Sequence, residues 1–219
     1  MYSSVAERFS PKSFNRYLYN VIMVMQDQSA LEFPSIVIGS QEWMTSNLSV
    51  THYRNGDPLA QSLSFEEWRG VSSGATCSYE KDNRHDRVFG RLYNWHAVND
   101  SRGLAPEGWR IAEDSDWQEL IDFLGGHDIA GGALKEKGTA IWKGPNTGAS
   151  NSSGFAAIPA GFRSLYGDFR HQGLYGYYWS ATQSRSNCAW IRVFGYFDSR
   201  VLRTGGALGS GYSVRCIKA

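Results

Sequence analysis

Three cysteines, five histidines and a tail crowded with aromatic rings are the groups in this 219-residue chain with the means to do chemistry. A thiol attacks or binds metal when a base, a second thiol or a metal lies close by. Cys77, Cys188 and Cys216 are odd in number and include no Cys-x-x-Cys spacing. That argues against a disulfide framework and against a cysteine-held zinc, and it suits a reducing compartment. His52, His96, His127 and His171 have no partner at ligand spacing, and no Ser-His-Asp arrangement is legible. Asp82, His85 and Asp86 are near enough in sequence to hold a cation, yet Lys81, Arg84 and Arg87 among them read better as a solvated polar loop. A calcium site needs acidic and amide oxygens grouped in one loop. The nearest match, Gly144-Pro145-Asn146, has glycine where a carboxylate ligand belongs. The expectation is a protein that is not an enzyme and has no cofactor and no catalytic or metal-binding residues.

The tail points to recognition instead. From Ala189 to Phe197, strand alternation puts Trp190, Arg192, Phe194 and Tyr196 on one face and Ile191, Val193, Gly195 and Phe197 on the other. Both faces are largely apolar, so one is core and the other is either covered or an exposed sticky surface. The twenty residues from Ile191 to Ser210 contain no Lys, Glu, Gln, Met or Trp. Those types make up 35 of 219 residues, so about three belong in such a stretch by chance. Asparagine codons randomised at their adenines, with a pyrimidine kept in third place, never yield the five missing types. All twenty residues lie within the set that they do yield.

Positioning these groups takes many short elements. There are 31 aromatic residues and 24 glycines against six prolines, a composition of turns and packed short segments rather than long helices. Ser35 to Leu48 reads as a hairpin about Gly39-Ser40, and Phe65 to Trp68 as a short helix. Val88, Leu92 and Trp95 recur at helical spacing and predict a helix over 87–98, with Asp86 accepting at its start. Trp109 to Ile111 reads as a strand. Trp117, Leu120, Ile121 and Leu124 predict a second helix over 114–124, stopped by Gly125-Gly126. The polar run 146–154 reads as a loop tied down by side-chain hydrogen bonds. Phe155 to Pro159, Tyr177 to Ser180, Ala189 to Phe197 and Tyr212 to Ile217 read as strands. The fold class is therefore α+β: two helices beside mostly antiparallel strands with long loops.

Six blocks occur in order: Ile38 to Met44, Gly90 to Trp95, Pro106 to Ile111 with Trp117, Pro145 to Ala149 leading to Phe155, Trp179 to Thr182, and Gly211 to Cys216. Together they resemble a known family, the Fibrobacter succinogenes major paralogous domain. The resemblance implies a C-type-lectin-like fold over 36–219, with neighbouring termini and a ligand face on the last strands. Residues 1–35 are left as an N-terminal extension. That extension packs on the domain edge or on a neighbouring subunit, which would make a homo-oligomer. Where relatives often have cysteine, this chain has Ala105, so a bridge to Cys216 is not expected.

The tail also resembles the variable proteins of diversity-generating retroelements. That resemblance implies ligand binding through variable positions at Leu174, Tyr175, Tyr177, Arg185, Cys188, Ile191, Val193, Gly195, Phe197, Asp198, Arg200, Leu202, Thr204, Gly205, Ala207 and Ser210, set on one strand face plus turns. The partner expected is a protein, or a glycan, on another cell or particle.

Residues 171–219 carry five Arg, one Lys and one Asp, a balance of +5 in a chain of +1 overall. They have no clustered Lys/Arg track, so nucleic acid is not expected. No apolar run approaches the ~20 residues of a membrane span, and the start lacks the signs of a secretory signal. Membrane insertion is not expected, and a cytoplasmic or virion-associated location is favoured. The rival readings are a fixed adhesion or carbohydrate-binding domain of the same fold, and an oxidase of the formylglycine-generating type. The oxidase needs two nearby C-terminal cysteines, and here they lie 28 positions apart.

Overall fold

Gly39 and Ser40 turn the chain between two strands, β1 (Ser35–Ile38) and β2 (Gln41–Met44), as the hairpin pattern predicts. The structure is a computed structural model that describes residues 33–61 and 63–219. The expectations for the N-terminal extension lie almost wholly outside the described residues. Then follow α1 (Phe65–Gly70), β3 (Thr76–Cys77), α2 (Asp86–Phe89), β4 (Leu92–Tyr93), α3 (Trp95–Val98), β5 (Trp109–Ile111), α4 (Asp114–Phe123) and α5 (Ala130–Leu134). The remaining elements are β6 (Phe162–Arg163), β7 (Phe169–Arg170), β8 (Tyr175–Arg185), β9 (Cys188–Gly195), β10 (Val201–Ala207) and β11 (Cys216–Lys218).

Four strands pair in the order β1-β2-β11-β5, so the last strand lies between strands from early in the domain and its ends are neighbours. A separate antiparallel sheet has the order β10-β9-β8. The class is α+β, mostly strands in open antiparallel sheets with few helices.

The helix α4 forms where its spacing predicts. Its buried side chains are Asp116, Trp117, Leu120 and Ile121, and Glu113 with Asp116 makes a reciprocal cap at its start. Gly125 and Gly126 end it at φ +96° each. Trp117 is fully buried and meets Trp43 at 4.9 Å and Phe155 at 5.7 Å between ring centroids. Tyr178 and Phe194 close this aromatic core from the three-stranded sheet. Buried indoles need a hydrogen-bond acceptor. The Trp117 indole N–H donates to the Trp179 carbonyl at 3.3 Å, that of Trp179 to the Tyr93 carbonyl at 2.7 Å, and that of Trp142 to the Ala157 carbonyl at 3.1 Å.

The predicted helix over 87–98 does not form as one element. Gly90 at φ +66° ends α2, and a Cβ there would stand 2.6 Å from the Asn47 side chain. Leu92 and Tyr93 instead pair with Cys77 and Thr76, and the chain re-enters a helix only at Trp95. Asp86 bonds Arg91 at 2.6 Å.

Phe155 to Pro159 is not a strand either. The Ala157 N–H donates to the Leu134 carbonyl, and the Ala157 carbonyl accepts from the Glu136 N–H. Where the strand Tyr212 to Ile217 is predicted, Tyr212 and Ser213 make only single bridges and the strand forms over Cys216–Lys218. The strand β10 and the short helix α5 were not foreseen.

Candidate ligand-binding face

The register of the three-stranded sheet decides where the tail's side chains go, because directly paired residues share a face. One face contains Tyr175 paired with Gly195, the row Tyr177–Val193–Leu202 and the row Trp179–Ile191–Thr204. The reverse face contains Gly176–Phe194–Val201, Tyr178–Arg192–Arg203, Trp190–Gly205 and Cys188–Ala207. The reverse face is the core side: Tyr178, Arg192 and Phe194 are fully buried. The predicted alternation along β9 is therefore the one observed.

On the front face the middle strand is covered and the outer strands are open only in part: Trp179 on β8 is fully buried and Gly206 on β10 is buried. Leu202 is 48% exposed and Phe197 46%, Thr204 is exposed, and Tyr175 and Tyr177 are half-buried. Ile191 and Val193 are only 3% and 6% exposed, and Gly195 is buried. These three correct the expectation of a fully exposed strand face. Val193 lies between Tyr177 and Leu202, and Ile191 lies beside Trp179 with the Tyr212 ring converging on the same spot over Gly206, so the central strand forms a floor. Phe197 folds back over that floor: a Cβ on Gly195 would meet the Phe197 ring at 3.1 Å and the Tyr175 ring at 3.4 Å.

The other predicted positions do not all join this face. Asp198 and Arg200 lie in the turn after β9, paired at 2.8 Å, with Arg200 exposed. Leu174 is half-buried just before β8, and Arg185 is exposed at the far end of that strand. Cys188, Gly205 and Ala207 are half-buried on the reverse face, and Ser210 is buried at 3%. The expected single platform is thus a front face with its turn, plus a few sites at the opposite end.

Sequence reasoning missed the aromatic wall beside Tyr177. Tyr212 stacks on it at 5.6 Å, Phe162 meets it at 4.9 Å, and His171 Nδ1 lies 2.7 Å from its hydroxyl. Burial raises the Tyr177 phenol well above the ordinary tyrosine range, and burial lowers His171, helped by Arg170. Both groups are therefore neutral at pH 7, and the wall is uncharged. Nothing in the spacing of Phe162 and His171 marks them out, because the β6–β7 hairpin alone brings them here.

Beneath the sheet, Asp114 holds two arginines. Arg192, fully buried, donates to it at 2.7 Å, and Arg203 donates at 2.8 Å while lying over the Trp190 ring at 3.4 Å. Burial pushes the Asp114 carboxyl up, but hydrogen bonds from Arg203 and Arg192 outweigh it and hold the group below its ordinary 3.8. A depressed folded pKa means that these bonds stabilise fully above the unfolded value and are lost as pH falls through the folded one. Asp114→Asn is expected to lose about 1–3 kcal/mol at neutral pH. In urea titrations repeated down the acid range, wild type and variant should converge; a constant gap would show that the charge is not what Asp114 contributes.

All three cysteines are free thiols; burial pushes Cys77 up to about 11 and Cys216 up to about 12. Cys216 and Ala105 are both buried. Among the described residues no three His, Cys, Asp or Glu side chains converge as a metal site. Asp82 pairs with Arg84 at 2.5 Å. Among the described residues, too, no helix is long and apolar enough to cross a membrane.

The family model described as Fibrobacter succinogenes major domain matches residues 36–218, nearly all of the described chain. The chain belongs to that family. No curated protein and no solved structure matches it. The match of the Fibrobacter succinogenes major domain family spans the three-stranded sheet with the candidate face, and it assigns no activity to that face.

Proposed function

We propose that this chain is a ligand-binding protein with a C-type-lectin-like scaffold. Its front face on the three-stranded sheet would be diversified in the manner of retroelement variable proteins, and would bind rather than catalyse. One observation carries the reading: Phe197, Leu202 and Thr204 are exposed and Tyr175 and Tyr177 half-exposed on or over one face, beside the buried Trp179 and Ile191, while Tyr178, Phe194 and Val201 pack into the aromatic core from the other. Residues exposed in this way can change without opening cavities below. Two tyrosines and a phenylalanine offer broad, stiff contact area at low entropic cost, and Arg200 at the edge adds directed donors. The missing Lys, Glu, Gln, Met and Trp over 191–210 support diversification. The ligand is taken to be a protein or a glycan on another cell or particle.

The gene tests this. Codons for Arg200, Leu202 and Thr204, residues whose codons end in either a purine or a pyrimidine, should all end in C or T. A near-copy of the same 3′ stretch, differing at adenines, should lie beside a reverse transcriptase gene. Purine-ending codons at these positions, with no such copy, would leave a fixed adhesion domain as the reading.

A further inference from the structure

The turn from Tyr196 to Arg200, which displays Phe197, is held by a lysine from outside the tail. Lys135 follows α5, and its side chain is fully buried. Its ammonium donates to three main-chain carbonyls: Asp198 at 2.7 Å, Gly195 at 2.9 Å and Thr147 at 3.0 Å. The three N–H bonds of an ammonium are thereby all used. Most nearby bonds to the turn are main chain to main chain as well, beside one long bond from the Ser199 hydroxyl to the Thr147 carbonyl at 3.4 Å. The Thr147 N–H donates to the Tyr196 carbonyl, the Tyr196 N–H to that of Leu174, and the Val201 N–H to that of His127.

Glycines allow this close approach. A Cβ on Gly131 would stand 2.6 Å from the Ser199 carbonyl oxygen, and one on Gly148 would stand 2.0 Å from the Ser199 hydroxyl. Within the turn, the Asp198 carboxylate accepts from the Arg200 N–H, a local bond that Asn or Ser also makes.

We propose that Lys135 is a positioning residue, a built-in cation that fixes the 196–200 turn through backbone oxygens alone, so that the side chains shown there can change while the loop keeps its shape. The cation does what a bound metal ion does for a loop, without needing one. Burial pushes this ammonium down to about 8, which leaves it charged at neutral pH. The value of the clamp for recognition rests on the binding reading above, but the clamp itself does not.

Three measurements on the full chain test it. In wild-type protein in mildly acidic water, the Lys135 ammonium should give a 15N–1H signal protected from solvent exchange. In Lys135→Met, amide exchange at Thr147, Tyr196 and Val201 should quicken by about tenfold or more, while amides of α4 keep their rates. In Phe197→Ser/Arg200→Ser, those three amides should keep wild-type rates and Tm should move by less than ~2 °C. Unchanged exchange in Lys135→Met overturns the proposal. So does loss of protection in the double variant, or an ammonium that exchanges like a free lysine. Should Lys135→Met not fold, the ammonium signal and the double variant decide. None of the three uses a ligand, so the clamp and the binding reading can fail separately.

Discussion

Arg215→Met is expected to cost about 3–5 kcal/mol of stability, read as a lower urea midpoint by tryptophan fluorescence. Arg215 is fully buried, and no carboxylate is among the partners of its guanidinium. It donates instead to the carbonyls of Met44 at 2.8 Å, Phe155 at 2.6 Å and Ala156 at 3.3 Å, and to the Asn47 side-chain oxygen at 2.9 Å. It also lies over the Phe155 ring at 4.2 Å. Methionine fills similar space, so the loss is one of hydrogen bonds. Each buried acceptor left alone costs about 1–3 kcal/mol, offset in part because a buried charge, which desolvation disfavours, is gone. Lysine should not restore the loss, since one ammonium cannot span acceptors that a planar fork reaches together. A fully stable Arg215→Lys would mean that charge rather than geometry joins β2, the 155–156 loop and the last strand.

That guanidinium also explains why Phe155 to Pro159 misreads as a strand. An apolar run shows that a segment is buried, but not who satisfies its backbone. Here the acceptors of Phe155 and Ala156 are met by a side chain some 60 positions away, and no local pattern records that. The helix α4 was legible because Trp117, Leu120 and Ile121 bury on one face of an uninterrupted run. The run from Arg87 to Val98 offers the same spacing with a glycine inside, and spacing alone does not separate a helix from a turn between two short elements. What separates them is the close approach of Asn47 to Gly90, a tertiary fact.

The candidate face was legible in part. Alternation gave the two sides of β9 correctly, since period two needs only the strand itself. Burial of Ile191 and Val193 depends on how far Tyr177, Trp179, Leu202 and Thr204 rise on either side, which requires the register. The role of Lys135 left no trace at all, because its partners are carbonyls that every residue has.

The floor and the rim of the face should therefore answer differently to one and the same replacement. Asparagine is the natural choice, because adenine-directed diversification of the kind proposed starts from asparagine codons. Ile191→Asn is expected to lose about 3–5 kcal/mol: about 1.5–3 from the apolar burial given up, and the rest from an amide placed where it is 3% exposed. Leu202→Asn and Phe197→Asn, at 48% and 46% exposure, should each stay within about 1 kcal/mol of wild type in the same urea titration. The contrast bears on function as well as stability. A position that cannot accept the starting residue cannot be a freely diversified one, so the expected split removes Ile191 from the changeable set and keeps Leu202 and Phe197 in it. Near-equal costs at Ile191 and Leu202 would instead mean that the flanking side chains open to admit a polar group, and the floor would return to the recognition surface.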